Sequence, residues 1–454
     1  MGRLFGTDGA RGVANTELTC ELAMQIGRAA ALVLTEDNGG RRPVVMIGKD
    51  TRASGAMLEG ALIAGLCSVG ADVVLLGVVP TPAVAYMVTA NHADAGIMIS
   101  ASHNPCEYNG IKIFASTGYK LPDAEEAKIE AIVLDKAEEI PVPTGGDVGR
   151  VTVKADAIDE YVKHVASTID VRLDGLRIAL DCANGSSSAT AEKLFTLLGA
   201  DFDIFYSEPD GVNINDNCGS THIGNLKKIV KDGGYDAGFA FDGDADRCLA
   251  VDNNGELVDG DYILALTAED MKERGTLKGN AVVGTILTNM GFHRYCSERG
   301  MTFVAAKVGD RYVLEEMLKN GYNLGGEQSG HVIFLDYCTT GDGQLTAVQI
   351  CGLLRRSGKK FSEFTDLVNP FPQTMINIKV TPEGKKNWKS CLPLGEAIKN
   401  AEAELGSTGR VIVRESGTEP LIRVMTEGEN EEQILRLAYE LADVVKQNLS
   451  HREA

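Results

Sequence analysis

A serine and a group of aspartates, each placed just after a short apolar run, carry the clearest chemistry in this sequence. Ser102 follows the run Ile97-Met-Ile99, with His103 beside it and Lys112 further along. The run predicts a buried strand, and the small, turn-forming residues after it place Ser102 on a tight loop at the strand's carboxyl end. Ligands bind at that edge of open α/β sheets, so the loop is a candidate reactive site, with an ordinary polar loop as the alternative.

Asp242, Asp244 and Asp246 place three carboxylates within five residues after a similar run. Like charges this close repel and raise one another's pKa unless a cation lies among them. Carboxylate oxygens suit Mg²⁺, which completes its octahedron with phosphate and water. An EF-hand calcium loop is disfavoured because its sixth position holds Arg247 and its twelfth lacks glutamate. A phosphatase that uses the first aspartate as its nucleophile is disfavoured, because it would leave Ser102 without a role. A solvated acidic turn is the remaining alternative.

Further loops carry groups that a phosphorylated sugar would need. Gly325-Gly-Glu-Gln-Ser-Gly-His331 offers a carboxylate, an amide, a hydroxyl and an imidazole, a mixture that suits sugar hydroxyls. Arg414-Glu-Ser-Gly-Thr-Glu-Pro420, followed by Arg423, combines guanidiniums, hydroxyls and backbone amides that suit a phosphate monoester. A glycine-rich opening loop ends in Arg11, which can pair with a phosphate. Surface turns and, for the arginine loop, a salt-bridged hairpin are the alternatives.

The elements that position these loops recur in one layout. Segments 94–102 and 236–244 both begin with Asp-Ala-Gly, continue as a short apolar run and end in a polar loop. Strands alternating with helices precede both, and a fainter third set runs over 281–331, which predicts doubly wound α/β units with mixed sheets. After a break near 369–372 the pattern changes to a smaller α+β domain. The predicted domains are 1–153 with the serine loop, 154–255 with the metal-binding loop, 256–369 with the sugar-binding loop and 370–454 with the phosphate-binding loop.

Composition and charge exclude several classes of function. The hydrophobic fraction is 44% and the charged fraction 24%, as in a globular protein, and no apolar run reaches the roughly 18 residues of a membrane span. The ten scattered cysteines and the lack of a signal-peptide pattern predict a cytoplasmic protein with reduced thiols. A net charge of −20 argues against nucleic acid as a partner. A small anionic ligand would need a local basic set, and the candidates are Arg11, Lys112, Arg247, Lys307, Arg311, Arg414 and Arg423.

Taken together, the loops resemble the α-D-phosphohexomutases, most closely the branch that acts on glucosamine phosphates. The motifs that carry the resemblance stand in family order along the full length: Gly6-Thr-Asp-Gly-Ala-Arg-Gly12, Ser100-Ala-Ser-His-Asn-Pro105, Asp242-Gly-Asp-Ala-Asp-Arg247, Gly326-Glu-Gln-Ser-Gly-His331 and Ser416-Gly-Thr-Glu-Pro420. The resemblance implies four domains around one cleft and an isomerase that is an intramolecular phosphotransferase. Cys106, Tyr108 and Glu415 depart from the family pattern, which bears on affinity and subfamily more than on chemistry.

The implied reaction interconverts glucosamine 6-phosphate and glucosamine 1-phosphate and feeds UDP-N-acetylglucosamine synthesis. Phosphorylated Ser102 donates its phosphoryl group, a hexosamine 1,6-bisphosphate forms as intermediate and activator, and the other phosphate returns to Ser102. A phosphomannomutase or phosphoglucomutase is the alternative, and a non-catalytic sugar-phosphate-binding protein of the same fold is a weaker one. The expected partner is a small phosphosugar, with neither nucleic acid nor membrane, and a homodimer stays open.

The resemblance also implies roles for individual residues. One Mg²⁺ per active site is held by Asp242, Asp244, Asp246 and a phosphoryl oxygen on Ser102. The catalytic set is Ser102, His103, Arg11, Lys112 and His331. The alternatives for the general base are His331, Lys112 and Arg11. The substrate-binding set is Arg247, Lys307, Glu327, Ser329, Arg414, Ser416, Gly417, Thr418 and Arg423.

Overall fold

The computed structural model describes residues 3–6, 8–34, 41–136, 139–365, 368–416 and 420–450. The chain divides into two compact units, residues 1–287 with 300–367 and residues 288–299 with 368–454. Across the described residues the first unit contains three sheets with both parallel and antiparallel strands, and the second contains one antiparallel sheet. The predicted fold class, three α/β parts and a smaller C-terminal α+β part, is confirmed. The predicted boundaries between the domains stay a prediction.

The first sheet carries the Ser102 loop. Its strands are β1 (Ala10–Val13), β2 (Val44–Lys49), β3 (Asp72–Val78), β4 (Ala95–Ile99), β5 (Tyr108–Ala115) and β6 (Val151–Val153). They lie in the order β1-β5-β4-β2-β3-β6, with β5 antiparallel to both of its neighbours and the rest parallel. The helices around this sheet are α1 (Cys20–Val33), α2 (Gly55–Ser68), α3 (Thr81–Ala90) and α4 (Asp123–Asp135).

The second sheet carries the aspartate loop. Its helices are α5 (Ala157–Ala166), α6 (Ala191–Leu198) and α7 (Gly224–Gly233). Its strands are β7 (Arg177–Asp181), β8 (Asp201–Phe205), β9 (Ala237–Phe241), β10 (Cys248–Asp252) and β11 (Leu257–Val258), in the order β11-β10-β9-β7-β8. β9 is buried along its whole length, as expected for an interior strand covered on both faces.

The third sheet carries the glutamate–histidine loop. Its strands are β12 (Ala281–Thr285), β13 (Thr302–Ala306), β14 (Leu324–Gly326) and β15 (Val332–Phe334), in the order β13-β12-β14-β15. The helices of this part of the first unit are α8 (Gly260–Glu273), α10 (Asp310–Asn320), α11 (Gly343–Ser357) and α12 (Ser362–Thr365); α9 (Met290–Glu298) belongs to the second unit.

The first three sheets share one strand order, which confirms the predicted repeat. Each contains three parallel strands, and among these three the strand that comes last in the sequence pairs with the one that comes first. An antiparallel strand then pairs with the other side of that last strand, which gives the orders β3-β2-β4-β5, β8-β7-β9-β10 and β13-β12-β14-β15. The turn into the antiparallel strand is the serine loop in the first sheet, the aspartate loop in the second and the glutamate–histidine loop in the third. Each loop therefore lies at the carboxyl end of its parallel strands.

The repeated Asp-Ala-Gly segment has a physical cause. The Asp94 carboxylate accepts the backbone N–H of Val44 at 2.8 Å, and the Asp236 carboxylate accepts that of Arg177 at 2.8 Å. Val44 and Arg177 open β2 and β7, the strands beside β4 and β9. The aspartate therefore ties the start of each loop-bearing strand to the start of its parallel neighbour. In the third sheet Asn323 makes a related bond, in which its Oδ1 accepts the N–H of Lys278, a residue just before β12, at 2.9 Å.

The glycine of this segment lets a helix pack closely on the strand. A Cβ on Gly96 would lie 2.6 Å from Val88 Cγ2, and a Cβ on Gly238 would lie 2.4 Å from Val230 Cγ2. Gly325 repeats the feature in the third sheet, where a Cβ would lie 2.7 Å from a methionine sulfur of α10. A larger residue at these positions would push the helix away from its strand.

The second unit has a different design. Its sheet consists of β16 (Gln373–Lys379), β17 (Gly409–Glu415) and β18 (Leu421–Gly428), with β18 in the middle and both pairings antiparallel. The helices are α13 (Pro382–Asn387), α14 (Leu392–Leu405) and α15 (Glu431–Leu449) together with α9. One face of the amphipathic α15 is buried over its whole length, at Ile434, Leu437, Leu441, Val445 and Leu449.

The first helix has a clear start. It begins at Cys20 because the Thr19 side chain accepts the N–H of Leu22 and caps it. In the described part of the chain, no helix is long and apolar enough to cross a membrane.

Candidate active site

Ser102 lies on the turn from β4 to β5, where the side chain is almost fully buried, at 1% exposure. Its backbone adopts a φ of 53°, in the left-handed region that non-glycine residues rarely occupy. Its Oγ donates a hydrogen bond of 2.6 Å to Asp242 Oδ2 and lies 3.3 Å from His103 Nδ1. Burial, together with Arg247 and Arg11, lowers the pKa of His103 to about 4, so the ring is neutral at pH 7.

The aspartate loop lies on the turn from β9 to β10 and brings its three carboxylates together. One oxygen from each of Asp242, Asp244 and Asp246 lies within 4.8 Å of the others, and all three side chains are buried. Burial, and then the like charges of Asp246 and Asp244, raise the pKa of Asp242 well above its usual range. Burial also acts to raise the pKa of Asp246, but Lys112 and His331 outweigh it and lower this pKa to about 2.

Lys112 on β5 places a buried positive charge against two of these carboxylates. Its Nζ lies 2.7 Å from Asp244, 3.1 Å from Asp246 and 3.2 Å from Asp8. Burial lowers the pKa of Lys112, but the carboxylates outweigh it and raise this pKa well above its ordinary value. The ammonium group therefore stays charged, which makes Lys112 a poor proton acceptor and a strong source of positive potential.

A chain of ion pairs extends from this cluster to His331, and the sequence did not predict it. Asp8 binds Arg11 and Lys120, and Lys120 also binds Asp310. The Asp310 carboxylate lies 3.5 Å from His331 Nε2. Burial raises the pKa of Asp8, but its lysine and arginine partners outweigh it and hold this pKa well below its usual range. Asp8 stands in the opening glycine-rich loop, which was the only available signal.

Thr81 is a second group that sequence reasoning missed. It begins α3, and its side chain is fully buried. Its N–H donates to the backbone carbonyl of Asp244 at 2.9 Å, and its Oγ1 donates to the Asp244 carboxylate at 2.5 Å. The first sheet therefore fixes the middle aspartate of the second sheet through both backbone and side chain. Pro-Thr-Pro at this point signals a helix start and nothing about a metal ligand.

The aspartate cluster fits a divalent cation. Within the described residues, Oδ1 of Asp244 and Oδ1 of Asp246 are buried without a hydrogen-bond partner. Unpaired buried carboxylate oxygens are costly, and hard oxygen ligands converging from three side chains are what Mg²⁺ takes. Ser102 Oγ is hydrogen-bonded to Asp242, so the serine hydroxyl lies beside the same carboxylate cluster.

Unpaired donors close to the cluster fit an anionic ligand. In the described part of the first unit, the Nε atoms of Arg11 and Arg247 are buried without a hydrogen-bond partner, as is Nδ1 of His331, and Arg247 Nε lies 3.9 Å from Asp246 Oδ1. The backbone N–H of Gly341 donates to His331 Nε2 at 3.3 Å, so Nδ1 is the ring atom left for a ligand. Burial acts to lower the pKa of Arg247, but the charges of Asp242 and Asp246 outweigh burial and raise this pKa, so the guanidinium stays charged.

The glutamate–histidine loop lies on the turn from β14 to β15. The N–H of Glu327 donates to the carbonyl of His331 at 3.0 Å, which closes the turn. Glu327 Oε1 accepts the N–H of Gly309 at 3.0 Å. Gln328 Nε2 donates to Asp259, the residue that caps α8, at 3.1 Å. Glu327 therefore keeps its second oxygen outside these bonds, while the Gln328 amide is held by the protein.

The remaining predicted ligands of the first unit are less constrained. Ser329 is exposed at the tip of its turn. Lys307 is also exposed, and its Nζ lies 5.4 Å from the ring centroid of Tyr312. Neither side chain is held close to Ser102 by the contacts seen for these residues, so their assignment to the substrate stays a prediction.

The predicted phosphate loop belongs to the second unit. Arg414 on β17 and Arg423 on β18 are direct cross-strand partners, so their side chains leave the same face of the sheet. Like charges directly opposite each other are destabilising, and a bound anion relieves the repulsion. Among the described residues Arg423 Nε is buried without a partner, and Ser416 is buried. Gly417 and Thr418 lie outside the described residues.

The chain matches four family models along its length. They are described as phosphoglucomutase/phosphomannomutase alpha/beta/alpha domain I over residues 2–139, domain II over 159–255, domain III over 259–371 and C-terminal domain over 375–444. Together they cover most of the sequence in the order in which the loops occur.

Curated relatives match over nearly the whole chain. A phosphoglucosamine mutase of Clostridium novyi is 52% identical over 447 residues, which cover 98% of this chain and 99% of the relative. A phosphoglucosamine mutase of Ruminiclostridium cellulolyticum is 53% identical over 450 residues, covering 99% and 100%. Among solved structures, a phosphoglucomutase/phosphomannomutase family protein from Burkholderia thailandensis superposes with a TM-score of 0.83 at 26% identity, covering 99% of both chains.

Proposed function

The chain belongs to the phosphoglucomutase/phosphomannomutase family, and on this premise we propose that it interconverts glucosamine 6-phosphate and glucosamine 1-phosphate through a phosphorylated Ser102. It is an isomerase that acts as an intramolecular phosphotransferase. The choice of glucosamine is supported by relatives named phosphoglucosamine mutase at about half identity over nearly full length. A hexosamine 1,6-bisphosphate is the proposed intermediate.

One observation carries the chemistry: Ser102 Oγ lies 2.6 Å from Asp242 in a pocket of buried charge. A buried hydroxyl on a strand-end turn, next to the carboxylates of Asp244 and Asp246 that each keep one oxygen without a hydrogen bond among the described residues, is the arrangement expected of a phosphoryl carrier beside a metal site. The neutral ring of His103, 3.3 Å from Oγ, can take the serine proton when the phosphoryl group returns.

The charges around Ser102 favour transfer of the phosphoryl group rather than tight binding of either the phosphorylated or the free serine. Lys112 stays protonated and places its charge next to the transferring group. In the described part of the chain, Arg11 and Arg247 each have a buried Nε without a hydrogen bond, which can donate to phosphoryl oxygens. Charge spread over the transferring oxygens is stabilised by such fixed donors, which is the main source of rate enhancement in phosphoryl transfer.

Asp242, Asp244 and Asp246 are the proposed Mg²⁺ ligands, with an oxygen of the Ser102 phosphoryl group as a further ligand. When bound, Mg²⁺ would supply Lewis-acid stabilisation of the phosphoryl charge. Thr81 holds Asp244 in place for this role, and the Arg247 N–H donates to Asp242 Oδ1 at 3.2 Å.

The substrate preference is assigned to Glu327. A carboxylate beside the sugar favours an ammonium over a hydroxyl by about 1 kcal/mol at high effective dielectric, which corresponds to a several-fold preference. Gln328, whose amide is bound to Asp259, acts by shaping the turn. Arg414, Ser416, Gly417, Thr418 and Arg423 are proposed to bind the non-reacting phosphate, and Lys307 and Ser329 to assist at the sugar.

The test is a comparison of kcat/KM for the phosphates of glucosamine, glucose and mannose in coupled assays. The glucosamine pair should give the largest value. Glu327→Gln keeps the Gly309 hydrogen bond but removes the charge, so it should reduce the preference several-fold, whereas Glu315→Gln on exposed α10 should not. A mannose or glucose preference in the unmodified enzyme would reject the proposed substrate and leave the Ser102 chemistry standing.

A further inference from the structure

Arg52 is buried against the Ser102 loop, although it lies 50 residues before Ser102 in the chain and stands in none of the motifs described above. Its side chain and that of Asp50 are both completely buried. Arg52 Nε donates to Asp50 Oδ2 at 2.9 Å, and the Arg52 N–H donates to Asp50 Oδ1 at 3.0 Å. A buried ion pair is costly unless its remaining donors are satisfied, so the other bonds of this guanidinium are informative.

The remaining donors of Arg52 go to backbone carbonyls of the serine loop. Nη2 donates to Ser102 O at 3.0 Å and to Asn104 O at 2.8 Å, and Nη1 donates to Pro105 O. Asn215 Nδ2 donates to two of the same carbonyls, Ser102 O at 2.9 Å and Asn104 O at 3.1 Å. The planar guanidinium thus spans the loop along several successive residues, a geometry that a point charge cannot reproduce.

Asp50 connects the same ion pair to the other side of Ser102. Ser100 Oγ donates to Asp50 Oδ2 at 2.6 Å and accepts the N–H of Ser102 at 2.9 Å. The N–H of Ser102 is therefore held through Ser100 and Asp50, and its carbonyl is held by Arg52. Both peptide groups flanking the reactive side chain are fixed by one buried pair.

Such support is needed because of the backbone conformation. The φ of 53° at Ser102 is disfavoured for a residue with a Cβ, and an unsupported loop would relax from it. Relaxation would turn Oγ away from Asp242. We propose that Arg52 is a positioning residue that holds the Ser102 loop in the conformation from which Oγ faces the aspartates.

This inference rests on the proposed phosphoryl transfer at Ser102. Arg52 bonds to backbone atoms and to Asp50, and through them it acts on the reacting hydroxyl. Its loss should therefore lower kcat and leave KM nearly unchanged, because the groups proposed to bind the sugar are untouched. A misplacement of about 1 Å at a reacting atom lowers rates by about 100-fold.

The experiment compares Arg52→Lys with Arg42→Lys in the full-length enzyme. Lysine at 52 keeps the charge beside Asp50 but cannot span the three carbonyls. Arg42 is the matched control, because it also bonds an aspartate, Asp72, and two backbone carbonyls, Gly146 O and Val148 O, in a part of the first sheet away from Ser102. Folding is checked by circular dichroism and melting temperature.

The readouts are kcat, KM and the single-turnover rate at which pre-phosphorylated enzyme transfers its phosphoryl group to glucosamine 6-phosphate. Arg52→Lys should lower kcat and the transfer rate about 10- to 100-fold, with KM within about twofold of the unmodified enzyme's value. Arg42→Lys should change none of the three quantities. Ser100→Ala, which cuts the link to the Ser102 N–H without removing a charge, should lower kcat in the same way. It keeps the test decisive if Arg52→Lys does not fold.

Wild-type kcat in folded Arg52→Lys, or in Ser100→Ala where Arg52→Lys does not fold, would overturn the positioning role. So would a fall in kcat that tracks the loss of folded protein in both variants. If the unmodified enzyme carries no phosphoserine and turns over none of the sugar phosphates, it is the proposed function that fails.

Discussion

Ser102 Oγ lies 2.6 Å from Asp242 Oδ2, although the two residues are separated by 140 positions in the chain and belong to different sheets. The contact joins the turn after β4 to the turn after β9. A hydroxyl and a set of carboxylates that are unremarkable separately become one site when these turns meet.

Ser102→Ala is expected to abolish mutase turnover, because among the residues that the structure describes no other hydroxyl donates to Asp242. The active unmodified enzyme should carry an added mass of about 80 Da on the peptide that contains Ser102, and the variant should lack it. Mass spectrometry and a coupled assay with saturating bisphosphate measure both. Ser116→Ala, an exposed serine after β5, is the control. Near-normal turnover of Ser102→Ala would contradict the assignment.

Asp244→Asn is expected to lower kcat about 1,000-fold or more, since a metal at the transferring group stabilises it by several kcal/mol. Asparagine keeps the shape and can still accept from Thr81, so a folding defect is not the expected cause. EDTA should inactivate the unmodified enzyme, and added Mg²⁺ should restore it. Asp201→Asn, on the exposed edge of β8, serves as control. Full activity in EDTA would rule out the metal.

Lys112→Met is expected to destabilise the metal-free protein, because it leaves Asp244 and Asp246 without their buried ammonium partner and removes one of the cations around Asp8. Mg²⁺ then compensates for the lost charge, so the rise in melting temperature on adding Mg²⁺ should be larger in the variant than in the unmodified enzyme. Thermal melts with and without Mg²⁺ measure the difference. An equal shift in the two proteins would show that Lys112 and the ion do not share the same carboxylates.

Asp342 is expected to make stability depend on pH. Burial raises its pKa from 3.8 to about 7, against the hydrogen bonds it accepts from Leu345 N–H and Tyr161 OH. Between these values the folded protein holds a proton that the unfolded chain releases. The stabilisation is therefore complete below about pH 4 and is lost as the pH rises to about 7, by at most about 4 kcal/mol.

Asp342→Asn can still cap α11 and bond Tyr161 but does not titrate. Its melting temperature should fall less than that of the unmodified enzyme as the pH is raised from about 4 to about 7. The exposed residue Asp216, changed to asparagine, should leave the pH profile unaltered. Parallel profiles for Asp342→Asn and the unmodified enzyme would place the pH dependence elsewhere.

The sequence predicts the α/β architecture because apolar runs and turn residues are local signals. Val44–Lys49, Ala95–Ile99 and Ala237–Phe241 are short, apolar and bounded by turns, and each is a strand. Residues that act through distant contacts give no such signal. Thr81 reads as a helix start, yet it bonds a carboxylate 163 positions away. Arg52 likewise reads as part of a polar segment, since nothing local shows that its partners are carbonyls 50 residues further on.

The prediction of the site was incomplete for the same reason. Ser102, Lys112 and the aspartates stand in distinctive motifs, and the structure brings them together. Lys120 and Asp310 stand in ordinary segments, and the pairing of Lys120 with both Asp8 and Asp310 depends on how the first and third sheets meet. The choice of general base also needed geometry, because the sequence offers Lys112, Arg11 and His331 alike, and only the contacts show that Lys112 is held as a cation and is a poor proton acceptor.

The anchor shared by the first three sheets, a polar residue followed by an apolar residue and a glycine, leaves the opposite end of each strand able to differ. Asp94 and Asp236 tie strand starts together, Asn323 bonds the segment just before β12, and the glycines let the helices pack closely, so the geometry is set at one end of the strand. The turn at the other end can therefore carry a serine, a set of aspartates or a glutamate–histidine pair while the core beneath it keeps one design.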